Sequence, residues 1–93
     1  MKTKISGING TNNILSSQAK GRVENGMIDK AVIYRSNHEY FIQFDGPNSD
    51  WKGEKLVLCS VREPYEYRKF KTIDGAVAEC QRIGITEIGL DLT

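Results

Sequence analysis

Thr72-Ile-Asp-Gly-Ala-Val-Ala-Glu-Cys-Gln-Arg-Ile-Gly84 is the stretch that decides the fold of this chain. Thr72 brings a hydroxyl to the position where a helix N-cap accepts a bond from an otherwise orphan backbone N–H. Ile73, Ala76, Val77, Cys80 and Ile83 recur at the spacing of one helical face. Gly84 supplies the left-handed residue on which helices commonly stop. The spacing predicts an amphipathic helix over 72–84, its outer surface made mildly acidic by Asp74 and Glu79 against Arg82. Gly75, in the first turn, is its weak point, unless a neighbouring strand needs to approach there.

On the far side of this helix Ile88, Leu90 and Leu92 alternate, which predicts a final strand over 87–92. On the near side the chain reads as short strands with turn punctuation. Lys55 to Val61 is apolar on both faces, with Leu56 and Leu58 pointing one way and Val57, Cys59 and Val61 the other. Such a strand suits a central or helix-covered position. Asp45 to Asp50 is a loop by composition. Tyr40, Ile42 and Phe44 alternate in a strand that follows a turn at Ser36-Asn37-His38. Asn25-Gly26 is a hairpin signal that sets Lys20 to Glu24 against Met27 to Arg35. Residues 1–18, rich in Gly, Asn and Ser, predict an irregular arm with at most one helical turn at Ser16 to Ala19.

The whole is therefore expected to be a single α+β domain over 1–93. Its parts are an irregular arm (1–18), a β-meander (19–71), one C-terminal helix (72–84) and the final strand (87–92). The sheet is expected to be mostly antiparallel, with four to five strands. Hydrophobic residues make up 39% and charged residues 27% of the 93 positions, too apolar for disorder.

The net charge is only +1, yet its distribution is uneven. Residues 1–35 hold six Lys or Arg against two acids, and 36–54 hold one against four. Residues 55–71 hold five against two, and 72–93 one against four. Folding that joins the two basic blocks would create a positive face. No apolar run approaches the roughly 20 residues of a membrane span, and the N-terminus lacks a signal-peptide core, so a cytoplasmic monomer is expected. Cys59 and Cys80 sit in apolar patterns and read as reduced core thiols, although a disulfide between them is open on sequence grounds.

Reaction chemistry has few parts to work with. His38 lies in a turn without an orienting partner or a nucleophile nearby in sequence. Two cysteines 21 positions apart and one histidine do not make a zinc spacing. The glycines do not form a phosphate-cradling loop that opens a helix. The expectation is a non-enzymatic protein with no metal, cofactor or small-molecule substrate.

What remains is basic and aromatic surface. Trp51 and Lys52 fall in the middle loop. Arg62, Tyr65, Tyr67, Arg68, Lys69 and Lys71 lie between the fourth strand and the helix. In an extended segment Tyr65, Tyr67, Lys69 and Lys71 share one face, and Arg68 and Phe70 the other, with Phe70 directed to the core beside Ile73. Tyr, Trp and Arg are common interface anchors, and aromatics interleaved with cations also suit nucleic acid. Adding Lys2, Lys4, Lys20 and Arg22 makes a ribonucleoprotein partner attractive, because it offers phosphates together with protein surface.

The run Arg68-Lys-Phe-Lys-Thr-Ile-Asp-Gly-Ala-Val-Ala-Glu-Cys-Gln-Arg-Ile-Gly-Ile85 resembles a cassette that recurs in short phage and plasmid proteins. Taken whole, the chain resembles the small phage-encoded anti-CRISPR proteins of the type I-F class. Those proteins share no motif, so the resemblance carries no functional residue position by position. It implies a stoichiometric inhibitor, acting in the cytoplasm of a bacterial host. Such an inhibitor would bind Cas proteins of a type I-F surveillance complex, with or without guide RNA contact, and block target DNA hybridisation. A phage or plasmid nucleic-acid-binding regulator and an accessory protein dimerising through a sheet edge stay open beside it.

Overall fold

The computed structural model describes residues 12–51, 53–60, 62 and 66–92. In chain order the elements are β1 (Asn13–Ile14), α1 (Ser16–Glu24), β2 (Lys30–Ser36), β3 (Glu39–Asp45), β4 (Asp50–Trp51), β5 (Glu54–Lys55), β6 (Val57–Leu58), α2 (Ile73–Ile83) and β7 (Glu87–Asp91). Five strands form one sheet in the order β1-β6-β3-β2-β7, and β4 pairs with β5 in a separate two-stranded ribbon. The α+β class, the five-stranded sheet and the C-terminal helix agree with the sequence reading.

α2 forms for the reasons its sequence gives. The Thr72 side chain accepts the Gly75 N–H at 3.0 Å, and Gly84 ends the helix at φ 105°. The Gly84 and Ile85 N–H groups return to the Gln81 and Cys80 carbonyls, closing the last turn in a Schellman arrangement. Ala76, Cys80 and Ile83 are buried against the sheet. Gly75 answers its own cap rather than a neighbouring strand: a Cβ there would lie 3.2 Å from Thr72 Oγ1.

The segment before β2 corrects two expectations, the arm reaching to residue 18 and the strand over Lys20 to Glu24. Asn13–Ile14 is a strand paired parallel to β6, and Ser16–Glu24 is a helix. Leu15 donates its N–H to Gln18 Oε1 at 3.1 Å, which satisfies one donor at the helix start although residue 15 has no polar side chain. Asn25-Gly26 is not a hairpin turn. Gly26, at φ 75°, donates to the Val23 carbonyl, and Met27 donates to the Arg22 carbonyl at 2.8 Å. This is the same helix stop as at Gly84. An Asn-Gly pair supplies a left-handed residue, and a type I′ turn and a helix terminus both consume one. Residues 1–11, the rest of the expected arm, lie outside the described residues.

The meander expected over 19–71 reduces to one regular hairpin, β2 and β3, in register from Lys30↔Asp45 to Ser36↔Glu39. Asn37 turns it at φ 60°, within the predicted turn. The strand expected over 55–61 is broken into β5 and β6, but β6 does lie inside the sheet, between β1 and β3. The sheet is mixed: β7 runs parallel to β2, and β1 parallel to β6. A strand that follows a helix crossing the sheet returns in the parallel sense.

Both helices contribute to a single core. Ala19 of α1 and Ala76, Cys80 and Ile83 of α2 pack on Ile14, Ala31, Ile33, Ile42, Phe44 and Leu58. Ala31, Ile33, Ile42 and Phe44 share one sheet face by alternation, so both helices lie on that side. Gly46 closes the same end of the domain, because a Cβ there would meet Met27 O at 2.6 Å. Cys59 and Cys80 are buried free thiols, as expected, and desolvation raises both to about 11. No helix among the described residues is long and apolar enough to cross a membrane.

Candidate functional site

The opposite sheet face is covered by neither helix. Register places Val32 beside Gln43 and Tyr34 beside Phe41 on this face, with Val57 and Asn13 continuing the row from Gln43. The Tyr34 and Phe41 rings stack at 5.4 Å between centroids, 19° from parallel. Tyr67 then meets Phe41 edge-on at 4.4 Å and 82°. Three rings thus run across the strands, each half-buried by its neighbour.

Tyr67 reaches this row because its segment is pinned to the ends of β3 and β6. Tyr40 and Phe70 exchange two backbone bonds at 2.8 and 2.7 Å, and Arg68 donates its N–H to the Leu58 carbonyl at 2.7 Å. Alternation then separates the side chains as the sequence predicts. Phe70 enters the core, Arg68 lies over it, and Tyr67 faces the open side. The Tyr67 hydroxyl is within hydrogen-bond reach of Ser36 Oγ at 3.3 Å, which fixes the ring.

Cations gather at this end. An open depression of about 560 Å³ is lined by Glu39, Ser60, Arg62, Tyr67, Arg68 and Lys69. Lys69 Nζ stands 5.8 Å from the Tyr67 ring centroid and 4.0 Å from Glu66. Arg62 and Lys71 are exposed. An apolar hollow of about 240 Å³, between Asn12, Asn13, Phe41, Val57 and Tyr67, adjoins the ring row. The arrangement sets planar apolar rings beside partly exposed cations.

Glu79 departs from the sequence reading. It was expected on the acidic outer face of α2, yet its side chain is 6% exposed. Ser16 Oγ donates to Glu79 Oε2 at 2.6 Å, and Arg68 Nη1 and Arg82 Nη2 lie 3.6 and 3.4 Å from the same oxygen. The presence of α1 explains the burial, because α1 packs on α2 and covers that flank. A carboxylate there is tolerated only when charge and hydrogen bonds compensate its lost hydration. Arg68 is consequently a tethered residue with a half-exposed head rather than a free contact.

The other predicted site residues divide. Lys20, exposed on α1, shares a depression with Ser16, Ser17, Glu79, Arg82 and Ile83, so the two basic segments meet around Glu79. Arg22 instead donates to Asn48 O at 3.1 Å, in the loop that follows Gly46. The Trp51 backbone pairs with Glu54 in the β4–β5 ribbon. Lys2, Lys4, Lys52 and Tyr65 lie outside the described residues. His38 is exposed in the β2–β3 turn, as expected.

Tyr34 and Phe41 are the residues that sequence reasoning missed. Their signal lay in the Asn37 turn, whose register sets Tyr34 opposite Phe41 on the face away from Tyr40, Ile42 and Phe44. No protein-family model, curated protein or solved structure matches the chain.

Proposed function

We propose that this chain is a non-enzymatic binding protein whose partner is a nucleic-acid-containing assembly, engaged through the Arg62, Tyr67 and Lys69 end of the sheet. The observation that carries this reading is the convergence of these cations on one open depression at the end of an aromatic row that neither helix covers. Lys and Arg offer phosphate contacts, and Tyr67, held by Phe41 and Ser36, offers an anchor at little entropic cost. The near-neutral total charge argues against an acidic mimic of DNA.

The narrower identity of the partner rests on the resemblance of the Arg68 to Ile85 run and of the chain as a whole. On that basis the assembly is a type I-F CRISPR RNA-guided surveillance complex. The protein, carried by a phage or mobile element, then occupies the complex stoichiometrically and prevents target DNA from hybridising. The test is capture of the purified complex by the tagged protein, followed by target-DNA binding. Co-elution with loss of DNA binding is expected; neither co-elution nor loss would end this reading.

A second reading, a phage or plasmid regulator that binds free nucleic acid, is favoured by the aromatic row itself. Strong salt-dependent binding to nucleic acid alone, without capture of the complex, would select it.

A further inference from the structure

We propose that the sheet face turned away from the two helices is a stacking platform for single-stranded nucleic acid, with Tyr34, Phe41 and Tyr67 offering their rings to bases and Lys69 and Arg62 meeting the phosphates at one end. This deepens the reading above and rests on its assignment of the cations.

Three observations carry it. The rings form a continuous row across neighbouring strands, at 5.4 and 4.4 Å, on the face that the helices leave uncovered. Cross-strand aromatic pairs stabilise a sheet by only about 0.2–1 kcal/mol each, and a helix-packed sheet more often carries polar residues on the face turned from its helices. Phe41 meets both other rings, whereas Tyr34 and Tyr67 each meet only Phe41 within the row, so the two ends of the row are where a base would add to the stack. Lys69 already stands over the Tyr67 ring, an arrangement that a phosphate beside a stacked base would strengthen.

The charges set the direction and length of the track. Arg62, Arg68 and Lys69 stand at the Tyr67 end. At the far end Asp91 is in register with Tyr34, and Glu87 pairs with Lys30 at 3.9 Å. A strand therefore leaves its phosphates at the Tyr67 end and does not continue past β7. About two or three bases fit such a row. Duplex is excluded because its bases are already stacked and cannot lie flat on the rings. The hollow beside Tyr67 is bordered by Asn12 and Asn13, and Asn12 is held there by the bond its Nδ2 donates to the Lys55 carbonyl at 2.8 Å.

The experiment is fluorescence anisotropy of the full chain with a labelled oligothymidylate of about eight nucleotides, within the site sizes typical of stacking folds. A duplex of equal length is the comparison. Tyr34→Leu and Phe41→Leu, which keep apolar bulk, and the double reversal Arg62→Glu with Lys69→Glu are measured alongside, with thermal melts as the folding control. The expected result is preference for the single strand, a roughly tenfold loss for each Leu variant, and a salt slope of about −0.7 per phosphate contacted.

Tyr34→Leu, at the end of the row, keeps the test valid if Phe41→Leu does not fold. Equal binding of strand and duplex, absence of strand binding, or Leu variants that bind like the wild type overturn the platform. Should the charge reversal alone abolish capture of the surveillance complex, with both Leu variants unaffected, the inference fails while the functional reading stands. In that case the face meets protein. If neither class of variant changes capture, both fall together.

Discussion

Glu79 shows how much one buried carboxylate can reorganise an expected surface. Its Oε2 receives the Ser16 hydroxyl and attracts two guanidinium groups, so it ties α1, α2 and the segment before α2 together at one atom. Arg68→Glu would set a second carboxylate against it and weaken the fold. A loss of binding in that variant would therefore say little about an interface. A double-mutant cycle of Arg68→Ala and Glu79→Ala is expected to give a coupling of about 0.5–3 kcal/mol by urea titration. Additive effects would contradict the tether.

The two thiols make the second prediction at this scale. Burial raises Cys59 and Cys80 to about 11, above the value near 8.5 that an unfolded cysteine has. Their contribution to stability is thus complete below about pH 8.5 and is lost as pH rises toward 11. Reaction with a thiol reagent at pH 8 should proceed only as fast as the domain opens. Stoichiometric labelling within seconds in native buffer would contradict the burial of both groups.

At the scale of elements, the two helices differ in how openly their sequences declare them. α2 has a hydroxyl cap, an apolar face of five residues and a glycine stop, and all three signals agree. α1 has only Ala19 fully buried and Val23 partly so, one turn apart, on an otherwise polar helix. Its apolar stripe is too narrow to read, and tertiary packing decides it. Its stop signal, Asn25-Gly26, also fits a hairpin, so composition alone favoured the wrong element. If both glycines are helix stops, Gly26→Ala and Gly84→Ala should each cost about 1–2 kcal/mol, the strain of a left-handed Cβ. Equal losses in thermal melts are expected. A neutral Gly26→Ala would contradict the stop at α1.

At the scale of the whole molecule, the layering decides what is available for function. Both helices lie on one side of the sheet, and a crossover at the Tyr40 and Phe70 backbone bonds sets the cationic segment at the end of its other face. The Tyr67 and Lys69 part of this surface was legible because it is local: alternation within four residues fixes it. The Tyr34 and Phe41 part required strand register, and the engagement of Arg68 required knowing that α1 exists. Charge segregation along the chain pointed to a positive face. The fold realises it incompletely, since Lys20 reaches the Glu79 neighbourhood while Arg22 turns to Asn48.

The central claim is that recognition of a nucleic-acid-containing partner occurs at the Arg62 and Lys69 end of the sheet rather than on the helices. The most direct measurement is capture of the type I-F surveillance complex by the wild type, by Arg62→Glu with Lys69→Glu, and by a control that adds a negative charge on the exposed surface of α2, Gln81→Glu. The sheet-end reversal should abolish co-elution at an unchanged melting temperature while the helical variant captures normally. Undiminished capture by the sheet-end variant, or its loss in the helical one, would contradict that claim.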